Sequence, residues 1–259
     1  MQIAVLLKLV SQSTFMDSLT EDIKDRLSSG QLVINPADEY ALELALRLRD
    51  CCKDSKVAVV TMSPACAEHT LYEVLAMGAD EAIHICDSAF AGSDTLITAR
   101  ILAAALKKLP PQDLVLCGQR SIDSETGHIG AQLAVYLEKP IITNTLSIWM
   151  DESDGLHLTR LQDDGVVEIC CENSSVLSVC RGTEAIRVPS ILGKKRAREK
   201  CIIHMNSASL GVIPQEVGAS GSPTRVVRAR KIRYRTRNRQ ETDNIGMGVW
   251  NLLRQMGKE

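Results

Sequence analysis

The stretch Asp113-Leu114-Val115-Leu116-Cys117-Gly118-Gln119-Arg120-Ser121-Ile122-Asp123-Ser124-Glu125-Thr126-Gly127-His128-Ile129-Gly130 decides the fold. Asp113 to Cys117 carries a run of apolar residues without polar alternation, the mark of a buried strand. Past the turn, Ile129, Leu133, Tyr136 and Leu137 recur at helical spacing. The glycines of the turn admit close backbone approach. Its hydroxyl residues stand at a helix N-terminus, where partial positive charge favours phosphate. On spacing alone, strand, glycine-bearing turn and helix describe a phosphate cradle and an unoccupied β-α connection equally well. Asp123 and Glu125 sit beside the helix start, where carboxylates ordinarily cap rather than catalyse.

The same alternation runs back to the N-terminus. Ile3 to Val10 and Lys56 to Met62 read as strands, and between them Pro36 to Asp50 places Tyr40, Ala41, Leu44, Ala45 and Leu48 on one helical face. Pro64 opens a second helix, Ala82 to Cys86 is a strand, and Asp94 caps a helix that runs to Lys108. Repeated β-α units predict an α/β, Rossmann-like, mostly parallel sheet with helices on both faces. Ligands of such sheets bind beyond the carboxyl ends of the strands, which here singles out the loops 8–13, 62–66, 86–94 and 118–127. From Ile141 the pattern becomes strands, ending in Val166 to Cys171 and Val176 to Cys180, with turns at Asp154-Gly155 and Asp163-Asp164-Gly165; these are expected to extend the sheet as antiparallel partners. Residues 1–193 then form a nucleotide-binding α/β domain. Residues 194–259 form an extended basic C-terminal arm with a final helix from Asp243 to Met256.

Composition narrows the function classes. A chain of 259 residues buries a core without disulfides or a structural metal. With 45% hydrophobic and 24% charged residues and no apolar run of spanning length, a membrane-spanning protein is excluded. Aromatics are only 3%, so packing is aliphatic and a base-stacking nucleic-acid surface lacks its material. The nine cysteines are odd in number and form no C-x-x-C pair, which fits reduced thiols in a cytoplasm. The N-terminus lacks the basic region of a signal peptide and reads as a strand. From residue 194 onward there are 15 Lys and Arg against 5 Asp and Glu, and before it 15 against 27. An acidic body therefore carries a basic tail, suited to an acidic partner. Arg225 to Arg235 alternates charge and bulk, as a solvated strand or as a clamp on such a partner. The five histidines lack ligand spacing, and neither a G-x-S-x-G elbow nor a P-loop lysine is present, so no catalytic residue is expected.

Val33 through Glu43 with its Asn35-Pro36 pair, Ala76-Met77-Gly78-Ala79-Asp80, Ser93-Asp94-Thr95-Leu96, Gly118 through Gly130, Ala208 through Val212 and Gly218 through Thr224 stand in family order. In these segments the chain resembles the β subunit of electron transfer flavoproteins. The resemblance implies a subunit that pairs with an FAD-bearing α-type subunit and relays electrons between dehydrogenases and an acceptor, an electron carrier rather than an enzyme. By the same carry-over, Asn35, Met62, Ser121, Asp123, Ser124, Thr126, Gly127, His128 and Ile129 hold the nucleotide. AMP occupies this site in many members and FAD in the electron-bifurcating branch; Asp123-Ser124-Glu125-Thr126 with the SDTL and GSPT motifs looks more like that branch and favours FAD. The resemblance also makes Ile191 and Leu192 the dehydrogenase-docking residues and wraps the basic arm on the α-type subunit. The alternative is an adenine-nucleotide hydrolase on a related fold, with Asp123 or Glu125 holding a metal. A nucleic-acid module using the arm ranks third.

Overall fold

The computed structural model describes residues 1–11, 32–151, 155–171, 174–182, 185–225 and 245–256. Strand β1 (Gln2–Leu6), with its last four residues buried, lies between two later strands and runs parallel to both. The run expected as one strand from Ile3 to Val10 breaks at Leu7 and Lys8. Its second half, β2 (Leu9–Ser11), pairs antiparallel with β3 (Leu32–Ile34) in a separate two-stranded ladder. The break has a physical cause, because the Lys8 backbone turns out of the sheet to bond residues of the next helix.

That helix, α1 (Pro36–Cys51), starts with proline at its first turn, where the missing N–H is harmless. The chain continues through β4 (Lys56–Met62), α2 (Glu68–Met77), β5 (Glu81–Ile85), α3 (Thr95–Leu106), β6 (Leu114–Gly118) and α4 (Ile129–Leu137). Asp94 caps α3 as expected, its carboxylate accepting the Ile97 N–H at 3.0 Å. After α4 come β7 (Ile141–Met150), β8 (Leu156–Gln162), β9 (Gly165–Cys171) and β10 (Ser175–Val179). Helix α5 (Ile191–Ala197) and strand β11 (Ile202–Met205) form the last helix-strand unit, followed by the short helices α6 (Ser207–Leu210) and α7 (Gly218–Gly221). Among the described residues the main sheet has the order β11-β5-β4-β1-β6-β10-β7-β8-β9. The chain builds outward from β1 through β4 to β5, then returns to place β6 on the other flank of β1. The topological switch, where a parallel sheet leaves a crevice, therefore lies at β1 and β6.

Helices cover both faces. α1, α2 and α5 pack on Ile3, Val5, Val57 and Val59, while α3 and α4 pack on Ala4, Leu6, Val60, Ile83 and Ile85. Two placements differ from the sequence reading. β8 and β9 are antiparallel as expected, yet β10 runs parallel between β6 and β7, with all five residues buried. A strand buried on both faces is what a central parallel position requires. The intervening β8–β9 excursion hides this neighbour relation in the sequence.

Part of the segment expected as an arm is folded into the α/β unit. β11 pairs parallel with β5, and α5 buries Ala197 and brings Gly193 against α2, where an added Cβ would lie 2.4 Å from the Ala76 carbonyl oxygen. The compact units are Met1–Arg225 and Val226–Glu259. In the second, α8 (Ile245–Met256) carries exposed Met247, Val249, Trp250 and Leu253. The alternating stretch beyond Arg225 lies outside the described residues.

Candidate nucleotide site

The loops after β1 and β6 are joined from below by one short motif, Asn35-Pro36-Ala37-Asp38. The Asp38 carboxylate is buried and accepts two backbone N–H groups, that of Lys8 at 2.8 Å and that of Gly118 at 2.7 Å. Burial pushes its pKa up to about 6 against the pull of these hydrogen bonds. Gly118 has no room for a side chain, since a Cβ there would lie 2.4 Å from Asp38 Oδ1. Asn35, fully buried, stands at the N-cap of α1 without capping it. Its amide instead donates to the Arg120 carbonyl and accepts the Ile122 N–H, each at 3.1 Å. Its own N–H donates to the Lys8 carbonyl at 2.9 Å.

Above this support the loop 119–128 folds back on itself. The Glu125 N–H donates to the Ser121 carbonyl at 2.9 Å. Glu125 and Gly127 both take left-handed backbone angles, with φ of 51° and 67°. Glycine suits Gly127 for a second reason, since an added Cβ would lie 3.2 Å from the Gln119 carbonyl oxygen. On the far side Gln119 is pinned by its N–H to Val179 O at 2.8 Å and by its side-chain amide to Asn144 at 2.8 Å. Helix α4 begins at Ile129 with no side-chain cap, so its first-turn N–H groups and the positive end of its dipole face the loop. Gly130 lets the helix close on β6, where a Cβ would meet Cys117 Sγ at 3.0 Å.

Asp123 does not cap this helix, contrary to the expectation for a carboxylate near a helix start. It bonds Lys8, whose ammonium lies 2.7 Å from Asp123 Oδ1, 3.2 Å from Ser121 Oγ and 3.4 Å from Ser124 Oγ. The two serine hydroxyls are 2.9 Å apart. An ammonium, two hydroxyls and a bare helix N-terminus thus converge at the switch point, a donor set suited to a phosphate.

Met62 ends β4, on the other side of β1 from β6. Two strand spacings, about 10 Å, separate the ends of β4 and β6, a span that suits an elongated ligand lying across β1. With Ser63, Pro64, Ile85, Phe90 and Ala91, Met62 lines a cleft of about 380 Å³. The outer wall of this region is braced by the SDTL and GSPT segments, which meet in space. Asp94 accepts both the N–H (3.1 Å) and the hydroxyl (2.8 Å) of Thr224, and its own N–H donates to Ser222 Oγ at 2.9 Å. Asp87 likewise takes the N–H and hydroxyl of Ser207.

The structure therefore gathers Asn35, Ser121, Asp123 and Ser124 into one network, carries Thr126, Gly127, His128 and Ile129 on the same loop and helix start, and sets Met62 at the cleft. Ile191 and Leu192 lie elsewhere, in the first turn of α5. Ile191 is 91% exposed and Leu192 56%, so neither packs inward. Sequence reasoning missed Lys8 and Asp38 as site residues. Both were visible in position, Lys8 as the first polar residue after β1 and Asp38 as the acid three residues after Asn35, but only the fold puts them beneath the loop 118–128.

Comparison with known proteins agrees with this architecture. The family model described as electron transfer flavoprotein domain matches residues 27–207. The electron transfer flavoprotein subunit beta of Thermoanaerobacterium thermosaccharolyticum is 36% identical over 260 residues, covering 99% of this chain and 98% of that protein. The caffeyl-CoA reductase-Etf complex subunit CarD of Acetobacterium woodii is 36% identical over 197 residues, 76% and 75% of the two chains. Protein FixA of Azotobacter vinelandii is 34% identical over 199 residues, 74% and 70% of the two. A match of this extent makes the chain a member of the electron transfer flavoprotein β-subunit family.

Proposed function

We propose that this chain holds FAD, or AMP in the same place, in the crevice over β1, and that with an FAD-containing α-type subunit it relays electrons between dehydrogenases and an acceptor. The observation that carries the reading is the convergence of Lys8, Ser121, Ser124 and the uncapped start of α4 at the switch point. These groups fit a phosphate or diphosphate: they supply an ammonium, hydroxyls and backbone N–H donors, and glycine at 127 leaves the backbone accessible. Bound flavin supplies the redox chemistry. The protein's own residues position it. Asn35 and Asp38 fix the loop, Lys8, Ser121, Ser124, Thr126 and the N–H groups around Gly127, His128 and Ile129 hold the phosphate end, and Met62 with its neighbours walls the apolar cleft. FAD is favoured over AMP by the resemblance of Asp123 to Thr126, SDTL and GSPT to the bifurcating branch.

In the same reading Ile191 and Leu192 dock a dehydrogenase, as exposed apolar anchors beside Lys194, Lys195 and Arg196, and the C-terminal residues from 194 contact the α-type subunit. A cytoplasmic location fits the nine free thiols. The adenine-nucleotide hydrolase, with Asp123 or Glu125 holding a metal, is disfavoured at the first of these, since the Asp123 carboxylate is bonded to the Lys8 ammonium. Purification with the α-type partner and extraction of bound ligand tests the proposal. Two flavins per heterodimer support FAD in this site and one flavin plus AMP supports the simple carrier; neither ligand in this site overturns it.

A further inference from the structure

The three donors of the phosphate cradle are already in use by a carboxylate of the chain itself. Lys8 Nζ lies 2.7 Å from Asp123 Oδ1, and both side chains keep substantial exposure, 43% and 35%. Partial burial pushes the Asp123 carboxyl up, yet hydrogen bonds from Lys8, Ser121 and Ser124 outweigh it and hold the group below its usual range. The ammonium and both hydroxyls that face the loop crevice are thus the groups that stabilise this carboxylate.

We infer that Asp123 is an internal stand-in for the ligand's phosphate, latched on Lys8, Ser121 and Ser124 in the free protein and displaced when a phosphate-bearing nucleotide enters. This inference rests on the proposed nucleotide site and assigns roles within it: Lys8 is a phosphate-binding residue, and Asp123 sets specificity by competing for the same donors. A half-exposed ion pair holds weakly in water, so exchanging one anion for another is easy. A phosphate offers more charge and more acceptor oxygens than the carboxylate and therefore wins the donors. A neutral ribose or flavin fragment without phosphate gains nothing from them, so the latch stays closed and loop 119–128 discriminates against dephosphorylated ligands.

The sign of one substitution separates this role from an ordinary ligand contact. If Asp123 bound the nucleotide, Asp123→Asn would weaken binding. As a competing anion its loss tightens it. The experiment titrates AMP and FAD into the heterodimer of the full chain and its α-type partner after bound nucleotide is stripped, with thermal melts confirming folding. Asp123→Asn is expected to bind AMP about fivefold tighter and Lys8→Met about tenfold weaker, with adenosine, the phosphate-free probe, changed by neither. Asp123→Ser removes the same charge with a different shape and must repeat the gain, which keeps the test decisive should the asparagine variant misfold. Equal or weaker AMP binding on loss of the carboxylate, or unchanged binding in Lys8→Met, overturns the inference while leaving the nucleotide site standing. A wild-type heterodimer that takes neither AMP nor FAD at this site defeats the underlying functional reading instead.

Discussion

Asp38 and Gly118 meet across 80 residues of sequence, the buried carboxylate accepting the glycine N–H at 2.7 Å. With the second oxygen on the Lys8 N–H, this one side chain ties the ends of β1 and β6 together at the point where the sheet's strand order reverses. Asn35, one turn earlier, does the same for the outgoing loop. The loop 119–128 is thereby anchored by two buried side chains at the start of α1, Asn35 at its N-cap and Asp38 in its first turn, in addition to its own internal hydrogen bonds.

Gly118→Ala tests that contact by force. The new Cβ would sit 2.4 Å from Asp38 Oδ1 and 2.8 Å from atoms of Ala37, one of them backbone, so α1 or the loop must move. The expected loss is about 1–3 kcal/mol of unfolding free energy in urea titration, together with weaker nucleotide retention. Unchanged stability would show that the glycine tolerates a side chain.

Asp38 also gives stability a pH dependence of known sign. Its pKa is pushed up to about 6 by burial, against an ordinary 3.8. The folded chain therefore holds a proton that the unfolded chain releases between these values. The contribution is fully present below about 3.8 and is lost as pH rises through about 6, amounting to on the order of 3 kcal/mol. Asp38→Asn removes this slope, so the difference in unfolding free energy between wild type and variant should change from pH 4 to pH 7. At pH 7 the variant itself is less stable by about 1–3 kcal/mol, since an amide cannot accept both N–H groups equally. A pH-independent difference would refute the assignment.

Arg187, four residues before α5, is tied to α1 by two carboxylates. Its guanidinium lies 2.9 Å from Glu43 and 3.0 Å from Asp50, and its backbone N–H donates to Glu43 at 3.0 Å. Glu43 is buried in α1 and keeps Arg47 as a second partner at 2.8 Å. Burial pushes the Glu43 carboxyl up, but the two arginines bring it below its usual range. Arg187→Ala should therefore cost about 2 kcal/mol, at the low end for a buried charge that loses one partner. The part that Glu43 contributes is present at neutral pH and fades as pH falls through its lowered pKa, so the variant and wild type should converge in acid.

Ile191→Asp separates docking from folding. A side chain that is 91% exposed contributes little to the fold, so the melting temperature should stay within about 2 °C of wild type. Electron transfer from a cognate dehydrogenase, followed by flavin absorbance, should fall at least tenfold if the residue is an interface anchor. Full transfer rates in the variant would assign docking to another surface.

Much of this chain was legible because local physics was decisive. The run Leu114 to Cys117 could only be a buried strand, Asp94 was a cap by type and place, and the family motifs stood in order. The partners of β10 and β11 were not legible. Sheet neighbours are set by which buried faces meet in space, and a buried strand of five residues carries no mark of whether its neighbour lies 30 or 60 positions away. The basic composition after residue 194 likewise concealed β11, whose four residues are held by parallel pairing with β5 rather than by any pattern of their own.

The site divides along the same line. The sequence by itself determined that a glycine-bearing turn with hydroxyls precedes a helix after a buried strand, because those properties follow from residue type and spacing over fewer than 20 neighbours. Only the tertiary structure decided that Asp38 would sit beneath that turn and that Lys8 would reach Asp123, since both contacts cross the switch point and exist only once β1 and β6 lie side by side. Salt screens the attraction of exposed charges beyond about 10 Å, and which charges come within that reach is a property of the folded sheet.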